Sequence, residues 1–286
     1  RFPIYVPNSA GFIGTAFDMQ AAAVSPQSNL LGLAVSDRGT MTLGARSPFP
    51  VIAGLVLHLD AADPSGNSTL PADGSPLATW TDLSGRGNHA STGQASPIFR
   101  RNAVQGAPAV DFGVSAVDSL VTASSADFAA ATATMFLVAR NPVTALVSVA
   151  PPNTIDDEML LYARPGRNVR AFHHTSPGHF TELPHQNSAF DTFIQEATFG
   201  INTVDVSNAI DGVGSTASLL TTGSPQPFPA SVNRAVHVGR RGSSSFENGS
   251  GFIAEVIIYD RILSQQERDL VGSYLQAKFG LAAGYP

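Results

Sequence analysis

The stretch from Gly251 to Leu281 reads G-F-I-A-E-V-I-I-Y-D-R-I-L-S-Q-Q-E-R-D-L-V-G-S-Y-L-Q-A-K-F-G-L. Phe252 to Tyr259 is aromatic and β-branched, interrupted by Glu255 alone, which is the pattern of a strand buried on both faces. Such a strand belongs inside a sheet. Asp260 and Arg261 break the period, and Ser264 with Glu267 then makes S-x-x-E, in which each side chain satisfies a free N–H of a first helical turn. A helix therefore starts at Ser264. Leu270, Val271, Tyr274, Leu275 and Phe279 recur at spacings of three and four and predict one apolar stripe, and Gly280 supplies a left-handed stop. Glu255, alone among apolar neighbours, calls for a buried partner, a backbone N–H or an arginine.

Outward from this element, Gly54 to Asp63 (G-L-V-L-H-L-D-A-A-D) alternates Leu55, Leu57 and Leu59 against Val56, His58 and Asp60, a first strand with one fully apolar face. Trp80 stands before Asp82-Leu83-Ser84-Gly85-Arg86-Gly87-Asn88, where glycines permit positive φ and the Asp and Asn side chains bond local backbone. This reads as a self-satisfied loop pinned by Trp80. Its alternative is a calcium site with Asp60, Asp63 and Asp82 as ligands, because carboxylates and carbonyls in a tight loop suit a hard cation; no EF-hand spacing supports it.

Further strands are expected at Thr134 to Val138, Thr144 to Ala150, Met159 to Ala163 and Val169 to His173, joined by Pro- and Gly-rich turns. Phe193 to Phe199, Thr203 to Ile210, a return strand from Val213 to Thr222 after the turn at Asp211-Gly212, and Ala235 to Gly239 continue the series. Residues Arg1 to Pro50 stand apart as an N-terminal arm, with a hairpin expected from Leu30 to Leu43 through Asp37-Arg38-Gly39. The arm either adds edge strands to its own sandwich or docks on a neighbouring subunit or larger assembly. The opening residue is Arg rather than Met, as expected of a processed or trimmed chain.

A chain of 286 residues with 43% hydrophobic content can bury a full core in one main domain, residues 51 to 286. Its net charge of -6 argues against nucleic acid as a partner, since phosphate binding needs a clustered basic face. Fifteen of the sixteen basic residues are Arg. The absence of cysteine excludes a disulfide framework and leaves the compartment open. No stretch approaches the roughly 20 apolar residues of a membrane span.

T-W-T-D-L-S-G-R-G-N-H-A around Trp80, G-A-P-A-V-D-F-G (Gly106 to Gly113), V-D-S-L (Val117 to Leu120) and the ending E-V-I-I-Y-D-R-I-L-S-Q-Q-E-R together resemble the concanavalin A-like lectin/glucanase superfamily, in particular its bacterial and phage laminin G-like members. The resemblance spans about residues 51 to 281. It implies an all-β fold, a two-sheet antiparallel jelly-roll sandwich with one C-terminal helix. It specifies activity poorly, because this architecture hosts lectins, hydrolases, lyases and spacers.

Glycosidases on this scaffold carry carboxylates two and four residues apart on one strand, as in E-x-D-x-x-E, and that motif is missing. Asp156-Asp157-Glu158 reads as a solvated turn. Lyases on the scaffold use His, Tyr, Arg and Gln or Asn, and Phe172 to His185 concentrates four of the seven histidines. That segment has three readings: a solvated loop, a loop whose flat rings stack on sugars, and a zinc or catalytic histidine site. The candidate ligand-binding residues are Phe172, His173, His174, His179, Phe180 and Tyr162. The sequence thus points to a non-catalytic recognition or adhesion module for a polysaccharide or surface glycan. Its expected setting is extracellular, on a cell surface or in a virion-like particle, with protein assembly through the arm. A ligand-free decoration or fibre component and a polysaccharide lyase or glycoside hydrolase are the alternatives. No cofactor is expected, with calcium as the single exception.

Overall fold

The computed structural model describes residues 49–113, 117–151, 158–163, 169–174, 179–183, 192–200, 207–211, 213–214, 218–221, 232–242, 249–281 and 284–285, together with four short strands before residue 43. The chain divides into two compact units, Arg1–Pro50 and Val51–Pro286.

In the first unit, Ala16–Met19 pairs antiparallel with Gly39–Thr42, and Ala22–Val24 pairs with Leu33–Val35. The inner ladder is nested in the outer one. The hairpin expected through Asp37-Arg38-Gly39 is therefore not formed: Leu33–Val35 takes its partner from upstream, and Gly39 opens the outer ladder, opposite Met19.

The second unit is two antiparallel sheets facing one core, with one helix. At the centre of the first sheet lies Ser250–Tyr259, paired along one side with Ala133–Ala150 and along the other with Leu55–Asp60 and Ala107–Asp111. Phe193–Phe199, Ser207–Ile210 and Val213–Gly214 extend that sheet beyond Ala133–Ala150, and Ile98–Val104 borders Ala107–Asp111. Asp211 turns the hairpin between Ile210 and Val213 at a φ of 51°.

The expected strands 134–138 and 144–150 are one element, because Pro142 sits where the register breaks rather than where the strand ends. Ala133 to Arg140 lies in the first sheet, and Thr144 to Ala150 crosses into the second. Asn141, at a φ of 49°, marks the irregularity between them. Bulges of this kind bend a strand and let it change sheet.

The second sheet runs in the order Ser218–Thr221, His179–Leu183, Val169–His174, Glu158–Ala163, Ala133–Ala150, Ala235–Val238, Leu120–Thr122, Ala90–Thr92, Thr79–Trp80. The expected return strand 213–222 is thus divided, its second half pairing with His179–Leu183 in the opposite sheet. Between the sheets, Leu59, Met135, Leu137, Val256 and Ile258 meet Trp80, Leu120, Val147, Leu161 and Val236 in one buried cluster. The P-A-V-D-F run contributes Phe112, fully buried. A Cβ on Gly239, at a φ of 80°, would stand 2.2 Å from the Phe112 ring.

The helix Gln265–Phe279 starts from Ser264 with both bonds of the capping box formed and ends on left-handed Gly280. Val271, Leu275 and Phe279 are buried, whereas Leu270, expected in the apolar stripe, is 49% exposed. The helix docks on the face of the first sheet away from the core, through Lys278 and Arg268. Among the described residues no helix is long and apolar enough to cross a membrane.

Candidate functional site

His58 and Asp60 occupy the alternate positions of the first strand that polarity would assign to solvent, yet both are buried. Register explains this. Glu255 stands opposite Asp60 and Ile257 opposite His58, so all three side chains share the face that the helix covers. His58 Nε2 lies 2.7 Å from Glu255 Oε1, and Tyr274 OH donates to the same oxygen at 3.1 Å. Lys278 Nζ reaches Glu255 Oε2 at 2.6 Å and Asp60 Oδ2 at 2.7 Å. Burial works to lower the pKa of Lys278, but the carboxylates of Glu255 and Asp60 outweigh it and hold the ammonium well above the ordinary lysine value. The partner that Glu255 calls for is thus a lysine and a histidine, not an arginine.

The donor atoms of His58, Asp60 and Glu255 lie within 4.8 Å of one another, a set that could also hold a metal ion. Here the cation beside the two carboxylates is the Lys278 ammonium. The three aspartates proposed for calcium do not form such a group among the described residues. Asp60 faces Lys278, and Asp63 accepts from the Ser68 N–H at 2.7 Å. Asp82 accepts from the N–H groups of His58, Ser84 and Asn88 and from the Ser84 hydroxyl. Those bonds tie the loop 82–88 to the first strand as the self-satisfied turn that its glycines predict.

The face of the second sheet away from the core carries a continuous cross-strand row. Thr79, Ser91, Val121, His237, Ser148, Leu160, Phe172, Phe180 and Leu220 stand opposite one another in turn across nine strands. Their strand neighbours Leu120, Val236, Val147, Val149, Met159 and Leu161 face the core, so alternation puts the row on the opposite side. Thr79 and Ser91 are exposed, Val121 and His237 half-buried, and Ser148 and Leu160 buried. Leu160 and Tyr162 form an apolar cluster of their own, separate from the main core.

The strand expected at Val169 to His173 forms as Val169–His174, and the rest of the segment to 185, read chiefly as a loop, contains a second strand, His179–Leu183, paired with it. Residues 175–178, 184 and 185 lie outside the described residues. Register assigns positions 172, 174 and 180 to the face of Leu160 and Glu158, and positions 173 and 179 to the core-facing side of Met159. The sequence candidates are therefore divided between two faces. Tyr162 shares the outer face but is only 6% exposed.

Glu158, read in the sequence as part of a solvated turn, is fully buried on this face. It accepts from Arg241 Nε at 2.7 Å and from the Ser148 hydroxyl, which in turn accepts from the Gly242 N–H at 3.1 Å. Asp156 and Asp157 lie outside the described residues. A third buried glutamate among the described residues, Glu196, pairs with Arg268 at 2.7 Å and with Tyr285 OH at 3.1 Å; burial raises its pKa. Sequence reasoning missed His237, Arg240 and Arg241, for which the dipeptide Arg240-Arg241 after a short strand was the available signal.

No family model matches the chain, and no curated protein is significantly similar to it in sequence. Solved structures do match. The binding domain of botulinum neurotoxin serotype D superposes with a TM-score of 0.51 at 11% identity, covering 79% of this chain and 52% of that one. Trypanosoma rangeli sialidase in complex with sialic acid gives 0.50 at 16% identity, covering 82% and 34%. The chain thus spans about half the length of the first and a third of the second. At such identity the likeness is one of fold, a two-sheet β-sandwich.

Proposed function

We propose that the chain is a non-catalytic recognition module, and that it binds a glycan on the outer face of the nine-stranded second sheet. The observation that carries this reading is the cross-strand register. It collects Leu160, Phe172, Phe180 and Leu220 in one row and sets His174 opposite Glu158, so that apolar, aromatic and polar positions adjoin. Flat rings beside hydrogen-bonding groups are what a sugar face and its hydroxyls require. Three buried glutamates that could serve as a hydrolase acid are each held by a cation: Glu255 by Lys278, Glu158 by Arg241 and Glu196 by Arg268. That arrangement favours binding over catalysis. The module belongs, on this reading, to a secreted, cell-surface or virion-like assembly, with Arg1–Pro50 as its attachment.

A glycan array probed with the wild type and with His174→Ala, Phe172→Ala and His173→Ala tests the site. Array signal should disappear with the first two and persist in whatever fraction of His173→Ala remains folded. Unchanged signal in Phe172→Ala and His174→Ala removes this face from the account.

A further inference from the structure

In the second sheet His237 stands without partners. It lies between Val121 and Ser148 on the face away from the core. Both ring nitrogens are shielded from solvent, and neither has a hydrogen-bond partner. Its cross-strand neighbours offer none. Val121 has no polar atom in its side chain, and the Ser148 hydroxyl already donates to Glu158 and accepts from the Gly242 N–H. A buried polar group without a bond is costly and calls for an explanation.

The place of its strand supplies one. Within that sheet, Ala235–Val238 joins Leu120–Thr122, Ala90–Thr92 and Thr79–Trp80 to the other strands. Toward Ala133–Ala150 it forms four pairs, but toward Leu120–Thr122 only two, Leu120 with Val238 and Val121 with His237. The Val236 N–H, donating to the Thr122 hydroxyl at 2.9 Å, and the Ser125–Arg234 bridge extend that short junction. His237 thus makes half of one pair in the narrower ladder, at the step where the row passes from Val121 to Ser148.

A proton alters this step, because it adds a charge and a second N–H donor to a ring that has no acceptor. Leu120–Thr122, Ala90–Thr92 and residues 144–150 bring no charged group to it. Among the described residues the charges near it are Glu158, engaged by Arg241 and Ser148, and Arg240 and Arg241 beyond the end of its own strand. Burial first, and then the positive charge of Arg240, hold the His237 pKa at about 4, below the ordinary 6.5. An opened ladder returns the ring to its ordinary value, so the open form takes up a proton that the closed form refuses. The closed ladder is therefore fully favoured above about pH 6.5 and loses ground as pH falls to about 4.

We propose that His237 makes the ladder between Ala235–Val238 and Leu120–Thr122 an acid-sensitive latch, which parts in acid, divides the row and releases a glycan held there at neutral pH. The release rests on the reading of that face given above; the latch does not. Amide hydrogen exchange in the full chain, corrected for the intrinsic rate at each pH, is compared between the wild type and His237→Leu. From pH 7 to pH 4 the opening constant of Leu120 to Thr122 should rise about 100-fold more in the wild type, while Leu137 and Val256 in the first sheet show no such difference. Equal opening in the two proteins overturns the latch.

Wild-type protein loaded on a glycan array at pH 7 should leave it on washing at falling pH, with the pH dependence of the opening. Retention at pH 4 despite an opened ladder overturns the release and leaves the latch standing. No array signal at pH 7 removes the glycan reading, and the exchange result still decides the latch. Where His237→Leu fails to fold, the wild-type imidazole followed by NMR decides: titration near pH 4 upholds the latch, and titration near 6.5 in the folded chain overturns it.

Discussion

Lys278 is the only lysine in the chain, and it sits in a buried contact. Two carboxylates on neighbouring strands would repel each other beneath the helix without it. Removing one partner of a buried ionic network leaves the others uncompensated, at a cost of about 3 to 5 kcal/mol. Lys278→Met should therefore lower stability by that amount at pH 7, measured by urea denaturation. The sign with pH follows from a folded pKa above the ordinary 10.5: the contribution is complete below about pH 10.5 and disappears as pH rises beyond it. The gap between wild type and Lys278→Met should narrow in that alkaline window; a constant gap means that the methionine variant suffers from packing alone. None of this was legible in the alternation of the first strand. His58 and Asp60 have the spacing of a solvated face, and only the register with Glu255 and the docked helix inverts that reading.

At the scale of elements, the ending of the chain was the most legible part, because its signals are local. The buried strand, the capping box at Ser264 and the stop at Gly280 each depend on residues within a few positions of one another. The error at Leu270 is of another kind, since spacing marks a stripe but not how wide a stripe the sheet will cover. Residues 172–185 misled because their His, Pro and Gly content outweighed the period of two that sets positions 172 and 174, and positions 180 and 182, on one face of paired strands. The N-terminal hairpin misled because the partner of Leu33–Val35 lies upstream. Gly272 supplies a test at this scale. A Cβ there would stand 2.1 Å from the Tyr285 ring, which rests on the helix and reaches Glu196. Gly272→Ala should cost about 1 to 3 kcal/mol by overpacking. The double variant with Tyr285→Ala should cost less than the sum of the two single changes, because the ring that clashes is gone. Strict additivity would place Tyr285 elsewhere.

For the whole molecule, the motifs in the first and last thirds of the sequence carried the fold class correctly, two stacked antiparallel sheets and a C-terminal helix. The candidate site was legible only in part. Residue types pointed to Tyr162, Phe172, His174 and Phe180, but a row spanning nine strands is built from pairs as far apart in sequence as Val121 and His237, which no local pattern contains. The same long-range pairing assembles the His237 and Arg240 corner and the Glu158–Arg241 pair beside it. The molecule thus presents two differently used outer faces, one closed by the helix through Lys278 and one carrying the row.

The account stands or falls on which face meets the ligand. Amide shifts measured by NMR with the tightest-binding oligosaccharide should concentrate on Val121, Ser148, Glu158 to Tyr162, Phe172, His174 and His237. Shifts confined to the helix Gln265–Phe279, or to the loop from Asp82 to Asn88, would contradict it.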